Sequence, residues 1–196
     1  FPTNNLLQEK NEIPKSVIVK KRCAPYDMHK TRDTLWIGTD KGYLYQWSIK
    51  HQRSIKNFPR MHQSMVSSLN TDPNGRNLLI TEDSGRARLL SAKTHRTLKD
   101  FTAHASNISG ALTPNNLDFF TADQAGILKQ WSTCNYKLLN NYGYLHQQGI
   151  SSIQITEDSQ SLFLGSYDGC LKQISIPRKK IIKDYFKIHQ GGIYSM

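Results

Sequence analysis

A histidine returns along this chain at an almost constant interval. The spacings are 42, 42 and 43 residues, and the positions are His62, His104, His146 and His189. A β-branched residue follows each histidine by four positions (Val66, Ile108, Ile150, Ile193), and an apolar residue follows it by seven (Leu69, Ala111, Ile153, Met196). An aromatic residue comes shortly before each (Phe58, Phe101, Tyr142, Tyr185). Properties that recur in phase predict tandem copies of one structural unit of about 42 residues.

A second marker keeps the same phase. Acid-to-glycine turns occur at Asp40-Lys41-Gly42, Asp83-Ser84-Gly85, Asp123-Gln124-Ala125-Gly126 and Asp168-Gly169. A large apolar residue follows each glycine by five positions: Trp47, Leu90, Trp131 and Ile174. Because the two markers agree with each other over residues 35–196, the repeat does not depend on one residue type.

Short strands are the predicted content of each repeat. Turn sequences at 72–75 and 113–116 combine proline with Asn or Gly, which suit tight turns. The continuously apolar runs at 78–80, 119–120 and 162–164 are typical of strands buried on both faces. No segment keeps a helical period over ten residues. The pattern therefore predicts an all-β chain with about four strands per repeat.

At this point the chain resembles the WD40-repeat, transducin-like family of β-propellers, over about residues 20–196. A period of about 40–45 residues, with a His near its start and a Trp near its end, is the pattern of that family. The family's WD dipeptide is missing, since Ser follows both Trp47 and Trp131. Its GH dipeptide is also missing, because the residues before the four histidines are Met61, Ala103, Leu145 and Ile188. The resemblance implies four-stranded antiparallel blades, about four of them, in a piece of a larger propeller such as a seven-bladed one.

The resemblance also implies a hydrogen-bonded tetrad of His, Ser or Thr, Asp and Trp inside each blade. The third repeat holds a full set: His104, Thr121, Asp123 and Trp131. Partial sets are expected in the second repeat (His62, Thr81, Asp83), the fourth (His146, Ser166, Asp168) and the first (Gly38, Asp40, Trp47). Each charge-assisted bond in such a network contributes about 1.5–3 kcal/mol.

A catalytic interpretation of these residues is not favoured. A hydrolase triad is recognised by a unique geometry. Residues that recur in every structural unit do not fit that description. Histidines 42 residues apart, without Cys or carboxylate neighbours at ligand spacing, do not form a metal site. Nucleotide-binding and nucleophile-elbow motifs are missing. We therefore expect no catalytic residue, no cofactor and no metal, and we expect the chain not to be an enzyme.

The repeats predict the domain organisation. Residues 1–20 form an N-terminal lead or linker, and residues 21–196 form the WD40-like repeats. Blades are expected at about 22–58, 62–101, 104–142 and 146–186, with the start of a further blade at 189–196.

Charge and cysteines bound the partners and the compartment. The 26 Lys and Arg against 15 Asp and Glu give a formal net charge of +11, which attracts acidic partners or serves only as a solvated surface. No apolar run approaches the roughly 18 residues of a membrane span. The scattered cysteines Cys23, Cys134 and Cys170 favour a reducing compartment, the cytoplasm or the nucleus.

The leading functional hypothesis is a non-catalytic scaffold for protein–protein interaction within a larger complex. By analogy with the family, residues just after each histidine lie on one face of the disc and contact unidentified protein partners. The candidate residues are Ser64, Met65, Ser106, Asn107 and Gln148.

Two alternatives stay open. RNA or ribonucleoprotein association is suggested by the basic groups at 20–22, at Arg86 with Arg88, and in a basic patch of Arg178, Lys179, Lys180, Lys183 and Lys187. Tyr185, Phe186 and Tyr194 lie close to this patch in sequence and are suited to stacking on bases. The same lysines would also guard an exposed edge strand against pairing. The other alternative is a propeller appended to an enzyme whose catalytic domain lies outside this chain.

Overall fold

The computed structural model describes residues 23–31, 33–58, 61–106 and 108–196, and every regular element in these ranges is a β-strand. The first sheet holds β1 (Pro25–Lys30), β2 (Thr34–Thr39), β3 (Leu44–Ser48) and β4 (Arg53–Phe58). The second holds β5 (Val66–Thr71), β6 (Asn77–Glu82), β7 (Arg86–Ser91) and β8 (Thr97–Thr102). The third holds β9 (Ile108–Leu112), β10 (Asp118–Asp123), β11 (Ile127–Ser132) and β12 (Leu138–Tyr144). The fourth holds β13 (Ile150–Ile155), β14 (Ser161–Ser166), β15 (Leu171–Ser175) and β16 (Lys180–Tyr185).

The expectation of about four blades, each of four antiparallel strands, is confirmed. Strands pair in chain order within each sheet, so every sheet is a simple antiparallel meander. The first strands of neighbouring sheets, β1, β5, β9 and β13, contact one another in chain order, whereas the last strands pack mainly within their own sheet. The sheets therefore spread like the blades of a fan, with inner strands together and outer strands apart. The predicted lead at 1–20 and the basic group at 20–22 lie outside the described residues.

Burial across each blade follows from this arrangement. The second strands are covered on both faces by neighbouring blades, so five of the six residues in β6 and in β10 are buried. The apolar runs at 78–80, 119–120 and 162–164 lie in β6, β10 and β14, as the pattern predicts. The outer strands β4 and β8 are almost entirely exposed, which is why their sequences are polar and charged.

A separate apolar core fills each boundary between blades. Trp36 and Leu44 of the first blade pack with Leu78 and Ile80 of the second. The second boundary is built around Leu79, Phe101 and Phe119, and the third around Phe120, Leu128, Leu162 and Leu164. Removing such apolar surface from water stabilises by about 25 cal/mol per Å². The cores therefore hold each blade to the next.

Each outer strand carries a β-bulge at the same register. The pairing of β4 with β3 skips Ile55, because Trp47 pairs with Ser54 and Gln46 pairs with Lys56. The equivalent skipped residues in the other blades are Leu98, Leu139 and Ile182. A bulge increases local twist and disturbs the free edge of a sheet, so these edges are poor templates for pairing with another strand.

A serine organises the hairpin that leads to each outer strand. Its hydroxyl oxygen accepts a backbone N–H from the turn, which is the usual stabilising role of Ser at turns. The pairs and distances are Ser48–His51 at 3.1 Å, Ser91–Thr94 at 3.3 Å, Ser132–Cys134 at 3.2 Å and Ser175–Arg178 at 3.4 Å. These serines occupy the position after Trp47, Leu90, Trp131 and Ile174, so a neutral turn residue replaces the expected acid in all four repeats.

Near the end of each hairpin a residue other than glycine has a positive φ. The four residues are Gln52 (48°), His95 (59°), Tyr136 (60°) and Lys179 (53°). This conformation costs about 1–2 kcal/mol for a residue with a Cβ. In three cases the side chain contacts the preceding blade: His95 Nε2 is 2.8 Å from Gln46 Oε1, Tyr136 packs edge-on to Phe101, and Lys179 donates to the Leu139 carbonyl. The strained corners thus join adjacent blades near the circumference.

Polar side chains join the inner strands. A side-chain oxygen on one strand accepts a backbone N–H from the next, always 42 residues further along the chain. The pairs are Asp27–Leu69 at 2.6 Å, Ser68–Gly110 at 3.1 Å and Asn70–Leu112 at 2.8 Å. These bonds satisfy N–H groups that would otherwise be unpaired at the inner edge of each sheet.

Residues 189–196 contain no strand, yet they contact the fourth blade as one blade contacts another. His189 N donates to the Gly169 carbonyl, and Ile193 N donates to the Ser166 carbonyl. The Ser151 hydroxyl donates to the carbonyl of Ile193, again 42 residues away. The assignment of this segment to a further blade stays a prediction.

Candidate partner-binding face

Two sets of loops meet at one end of the blades. The first set connects consecutive blades and contains the repeated histidines at 62, 104, 146 and 189. The second set contains the tight turns between the two middle strands of each blade, at 39–42, 82–85, 123–126 and 166–169. We call the surface that these loops form the partner face, because it carries the residues that the sequence suggested for partner contact.

A glycine in each tight turn seats the histidine loop of the next blade. Gly42, Gly85, Gly126 and Gly169 have φ values of 75°, 81°, 81° and 76°. A Cβ on any of them would lie 2.2 to 2.4 Å from the carbonyl oxygen of the histidine in the next loop. At these turns only glycine allows both the backbone conformation and the close approach. The constant phase between the glycine and histidine markers therefore reflects a physical joint between neighbouring blades.

The joint is closed by backbone hydrogen bonds. The amides of His62, His104 and His189 donate to the carbonyls of Gly42, Gly85 and Gly169 at 3.2, 3.0 and 3.3 Å. At the third joint the donor is Leu145, 2.8 Å from the carbonyl of Gly126. The loops are thus fixed to the preceding blade through their backbones. The loops of His62, His104 and His146 are also fixed to their own blades through the histidine side chain.

His104, Thr121, Asp123 and Trp131 form a continuous hydrogen-bonded chain in the third blade. Trp131 Nε1 donates to Thr121 Oγ1 at 2.9 Å, and that hydroxyl donates to His104 Nε2 at 2.9 Å. His104 Nδ1 then donates to Asp123 Oδ2 at 2.8 Å. Every member uses its ordinary donor or acceptor capacity in this order. Thr121 is fully buried with its hydroxyl occupied twice, so the group is structural and not available to a substrate.

The second blade differs from the sequence-based expectation. His62 Nδ1 lies 2.6 Å from Glu82 Oε1, and Asp83 is exposed. The expected Thr81 contacts the hydroxyls of Ser67 and Ser68 at 3.0 and 2.8 Å. Glu82 ends β6 at the position that Asp123 holds at the end of β10, so it points inward while its acidic neighbour points out. The prediction of Asp83 as the partner of His62 was wrong.

The fourth blade uses a third arrangement. His146 Nδ1 is 3.3 Å from Asp168 Oδ2, and Asp168 lies two residues beyond the end of β14. Ser166, expected as the hydroxyl partner, instead donates to the Gln148 carbonyl at 3.3 Å. Among the described residues, His62 Nε2 and His146 Nε2 are buried without a hydrogen-bond partner. Of the second, third and fourth blades, the third is the one whose described residues complete the network.

Burial sets the protonation of these networks. Burial lowers the pKa of His104 below its usual value, and the nearby Asp123 carboxylate offsets only part of this effect. The pKa of His146 is lowered for the same reason, against the opposing charge of Asp168. Burial tends to raise the pKa of Glu82, but hydrogen bonds from His62, Ser64 and Ser84 outweigh it and bring the pKa below its usual value. His104 and His146 are therefore held in the neutral form more strongly than a free imidazole, and Glu82 is held in the ionised form more strongly than a free carboxyl group.

The described residues that were suggested for partner contact lie on this face but differ in exposure. Gln148 is exposed, whereas Ser64, Met65 and Ser106 are half-buried. The Ser64 hydroxyl donates to Glu82 Oε2 at 3.1 Å and accepts the Ser84 amide at 3.3 Å, so its first role is to support the loop. Asn107 lies outside the described residues.

A cavity opens on the partner face between the first and second blades. Its volume is about 280 Å³, and it is lined by Asp40, Lys41, Tyr43, Gln63 and Ser64. The lining combines both charges with a hydroxyl and an amide, so it suits a polar side chain of a partner. Sequence reasoning included Ser64 but not the four others. The histidine-to-glycine phase could have indicated them, because it places the turn at 39–42 against the loop at 62–64.

The predicted basic patch lies elsewhere, on the last hairpin and outer strand. Arg178, Lys179 and Lys180 are exposed there. Lys183 lies over the Tyr185 ring at 4.6 Å, and Lys187 lies over the Phe186 ring at 5.7 Å. Two of the five side chains therefore rest on neighbouring aromatic rings. Tyr194, also suggested for stacking, packs edge-on against Tyr167.

The part of the chain that the structure describes also bears on metal sites, membrane spans and disulfides. No group of three His, Cys, Asp or Glu residues there is arranged to hold a metal ion. No helix in these residues is long and apolar enough to cross a membrane. Cys23, Cys134 and Cys170 are unpaired, and the first and last of them are buried.

Comparison with known proteins identifies the fold. No family model and no curated protein matches the sequence. Among solved structures, the chain is similar to U3-55K with a TM-score of 0.79 and 17% identity, covering 88% of this chain and 54% of that one. The WD40 repeats of RRP9 match with a TM-score of 0.79 and 17% identity, over 88% of this chain and 53% of that one.

A third similar structure is the β-propeller domain of Cps50 (Swd1) from Myceliophteria thermophila, with a TM-score of 0.77 and 18% identity. The match covers 87% of this chain and 58% of that domain. Likeness at this identity shows the fold, which is that of WD40 β-propellers, as the sequence resemblance predicted. The chain spans about half the length of the solved structures that it matches.

Proposed function

We propose that this chain is a non-catalytic scaffold that binds protein partners through its partner face, within a larger complex. The observation that carries the proposal is the glycine–histidine joint repeated at four turns, which fixes loops of adjacent blades into one continuous surface. Rigid loops lose little conformational entropy when a partner binds. A preorganised surface with a polar cavity is suited to recognition and not to a chemical step.

The burial and hydrogen bonding of the residues that resemble catalytic groups support a structural role for them. The hydroxyl of Thr121 and the ring of His104 are buried and bonded to each other, to Trp131 and to Asp123. A nucleophile has to reach its substrate, and this hydroxyl does not reach the surface. Unpaired cysteines, two of them buried, suit a reducing compartment such as the cytoplasm or the nucleus.

Affinity capture of the protein from its native lysate tests this proposal. We expect partners that remain bound after nuclease treatment and at high salt, because recognition through shape and hydrogen bonds is less sensitive to screening than charge alone. Replacing Lys41 and Gln63 together by Ala should release those partners, since both side chains are exposed at the cavity.

A matched control is available at the opposite end of the blades. The pair Lys30→Ala and Asn74→Ala removes the same kinds of group from exposed positions at the end of β1 and in the turn at 72–76. Partners lost equally from both double variants, or lost from the unaltered protein with nuclease, would contradict the proposal.

A further inference from the structure

The positive charge of the chain is concentrated in one region of the fold. We define the outer rim as the hairpin and outer strand of each blade, residues 49–58, 92–102, 133–144 and 176–185. The rim holds eleven of the 26 Lys and Arg residues: Lys50, Arg53, Lys56, Lys93, Arg96, Lys99, Lys137, Arg178, Lys179, Lys180 and Lys183. It holds only two of the 15 acidic residues, Asp100 and Asp184. The rest of the chain has 15 cations and 13 acids, so nine of the eleven net positive charges belong to the rim.

Both acids of the rim are already neutralised by the neighbouring strand. Arg88 of β7 donates through Nε to Asp100 at 2.5 Å, and Lys172 of β15 forms an ion pair with Asp184. Neither Arg88 nor Lys172 is one of the eleven rim cations. The acids therefore do not reduce the positive potential that the rim presents to a ligand.

The rim cations recur at equivalent places. A basic residue directly follows the strained corner of every hairpin, and these residues are Arg53, Arg96, Lys137 and Lys180. All four are exposed. The turn serines at 48, 91, 132 and 175 stand where an acid was expected, so the hairpins lack a negative charge in every blade. The result is a row of cations that passes from blade to blade around the circumference.

We propose that the outer rim binds nucleic acid, through contacts between its cations and the phosphate backbone that do not depend on base sequence. A nucleic acid carries charge at a regular spacing and bends around a protein, so it is able to follow a row of cations across several blades. None of the residues that line the partner-face cavity belongs to the rim. The proposed binding by the rim rests on its charge. This function is separate from the proposed protein-binding role of the partner face.

Protection of the edge strands explains only part of this arrangement. Lysine on an edge strand discourages pairing with other chains. However, Lys50, Lys93, Arg178 and Lys179 lie in the hairpins, outside β4, β8 and β16, and have no edge to protect. The bulges on the outer strands already disturb those edges. A ligand for the whole rim accounts for the hairpin cations as well.

Fluorescence anisotropy with a labelled single-stranded RNA of random sequence tests the proposal, between about 50 and 200 mM salt. The variant carries Arg53→Gln, Arg96→Gln, Lys137→Gln and Lys180→Gln, one change in each blade. We expect affinity to fall at least about tenfold at the lower salt. The slope of log affinity against log salt should decrease by about 0.7 per lost phosphate contact, or about 3 in total.

The control variant loses two charges away from the rim, and its match is the rim pair Arg53→Gln and Arg96→Gln. The control carries Lys30→Gln and Arg76→Gln, at exposed positions that belong to neither the rim nor the partner face. It should leave the salt slope almost unchanged, whereas the rim pair should reduce it by about 1.4. Circular dichroism and thermal unfolding of all three variants establish that they are folded. Parallel titrations with single-stranded and duplex DNA show which backbone the rim prefers.

Two results would overturn the proposal. Equal loss of affinity in the control pair and the matched rim pair would mean that overall charge attracts the RNA and the rim is not a site. Competition by polyglutamate as effective as that by RNA would mean that the rim takes acidic protein segments instead. Neither result affects capture of nuclease-resistant partners by the partner face, so the two functions fail independently.

Discussion

A single position in a strand decides which acid completes a buried network. Glu82 and Asp83 are adjacent acids at the end of β6, yet only Glu82 reaches His62. Because successive side chains of a strand point to opposite faces, the carboxylate that occupies the last strand position points inward. In the fourth blade Asp168 reaches His146 from beyond the strand end. The same contact is therefore made from different sequence positions.

Replacing each of the two acids by Ala distinguishes their roles. We expect Glu82→Ala to lower the free energy of unfolding by about 1–3 kcal/mol, because His62 Nδ1 would be left buried without a partner. Asp83→Ala should change it by less than about 0.5 kcal/mol, as for other exposed positions. Urea unfolding followed by tryptophan fluorescence measures both, and equal effects would contradict the assignment.

At the scale of turns and strands, the residues that recur in the sequence are those that a close contact between two backbones requires. The glycines at 42, 85, 126 and 169 recur because a Cβ would overlap the next histidine loop. The hairpin corners at Gln52, His95, Tyr136 and Lys179 share no residue type, and the last three make different contacts with the preceding blade. The sequence therefore could predict the first set and not the second.

The glycine joint is testable with a pair of alanine substitutions. Gly85 and Gly143 both have positive φ, 81° and 67°, but a Cβ would lie 2.2 Å from His104 O at the first and would meet nothing within 4 Å at the second. Gly143→Ala should destabilise by about 1 kcal/mol through backbone conformation alone. Gly85→Ala should cost at least about 2 kcal/mol more, because a backbone has to move.

Thermal or urea unfolding of the two glycine variants gives the comparison. If the two variants lose similar stability, the close approach of the histidine loop contributes nothing to stability, and the constant phase of the two markers has another cause within the fold.

At the scale of the whole molecule, the sequence predicted the propeller and the third-blade residues His104, Thr121, Asp123 and Trp131. It predicted the basic patch at 178–187 but not the outer rim as one surface, because the charges at 50–56 and 93–99 lie far from that patch in sequence. They come together only when the fold makes β4, β8 and β16 the outermost strands. The cavity formed by Asp40, Lys41 and Tyr43 with Gln63 was not predicted, although the glycine-to-histidine phase places this turn against the loop of Gln63.

Stability of the whole fold should depend on pH through four buried or half-buried histidines. Burial lowers the pKa of His29, His95, His104 and His146 from the usual value of 6.5. The unfolded chain therefore binds more protons than the folded one in this range, and stability increases with pH. The contribution is complete above about pH 6.5 and is lost as the pH falls through the lowered values.

Urea midpoints measured from about pH 5 to pH 7 test this expectation. The midpoint should increase with pH, and His104→Gln should reduce the pH dependence because one of the four groups is removed. Glu82 and Asp168, whose pKa values are also lowered, act in the same direction at lower pH. A midpoint that is constant or decreases over this range would contradict the expectation.

The joint between a glycine turn and the next histidine loop also determines how such a chain can grow by duplication. Because Gly85 belongs to one blade and His104 to the next, neither half of the joint works without its neighbour. A segment of one full period carries one glycine turn and one histidine loop wherever it begins, so copying it adds a complete joint. A shorter or longer copy would leave one half unmatched. The period of about 42 residues is thus the shortest segment whose duplication or deletion leaves every blade joined to the next.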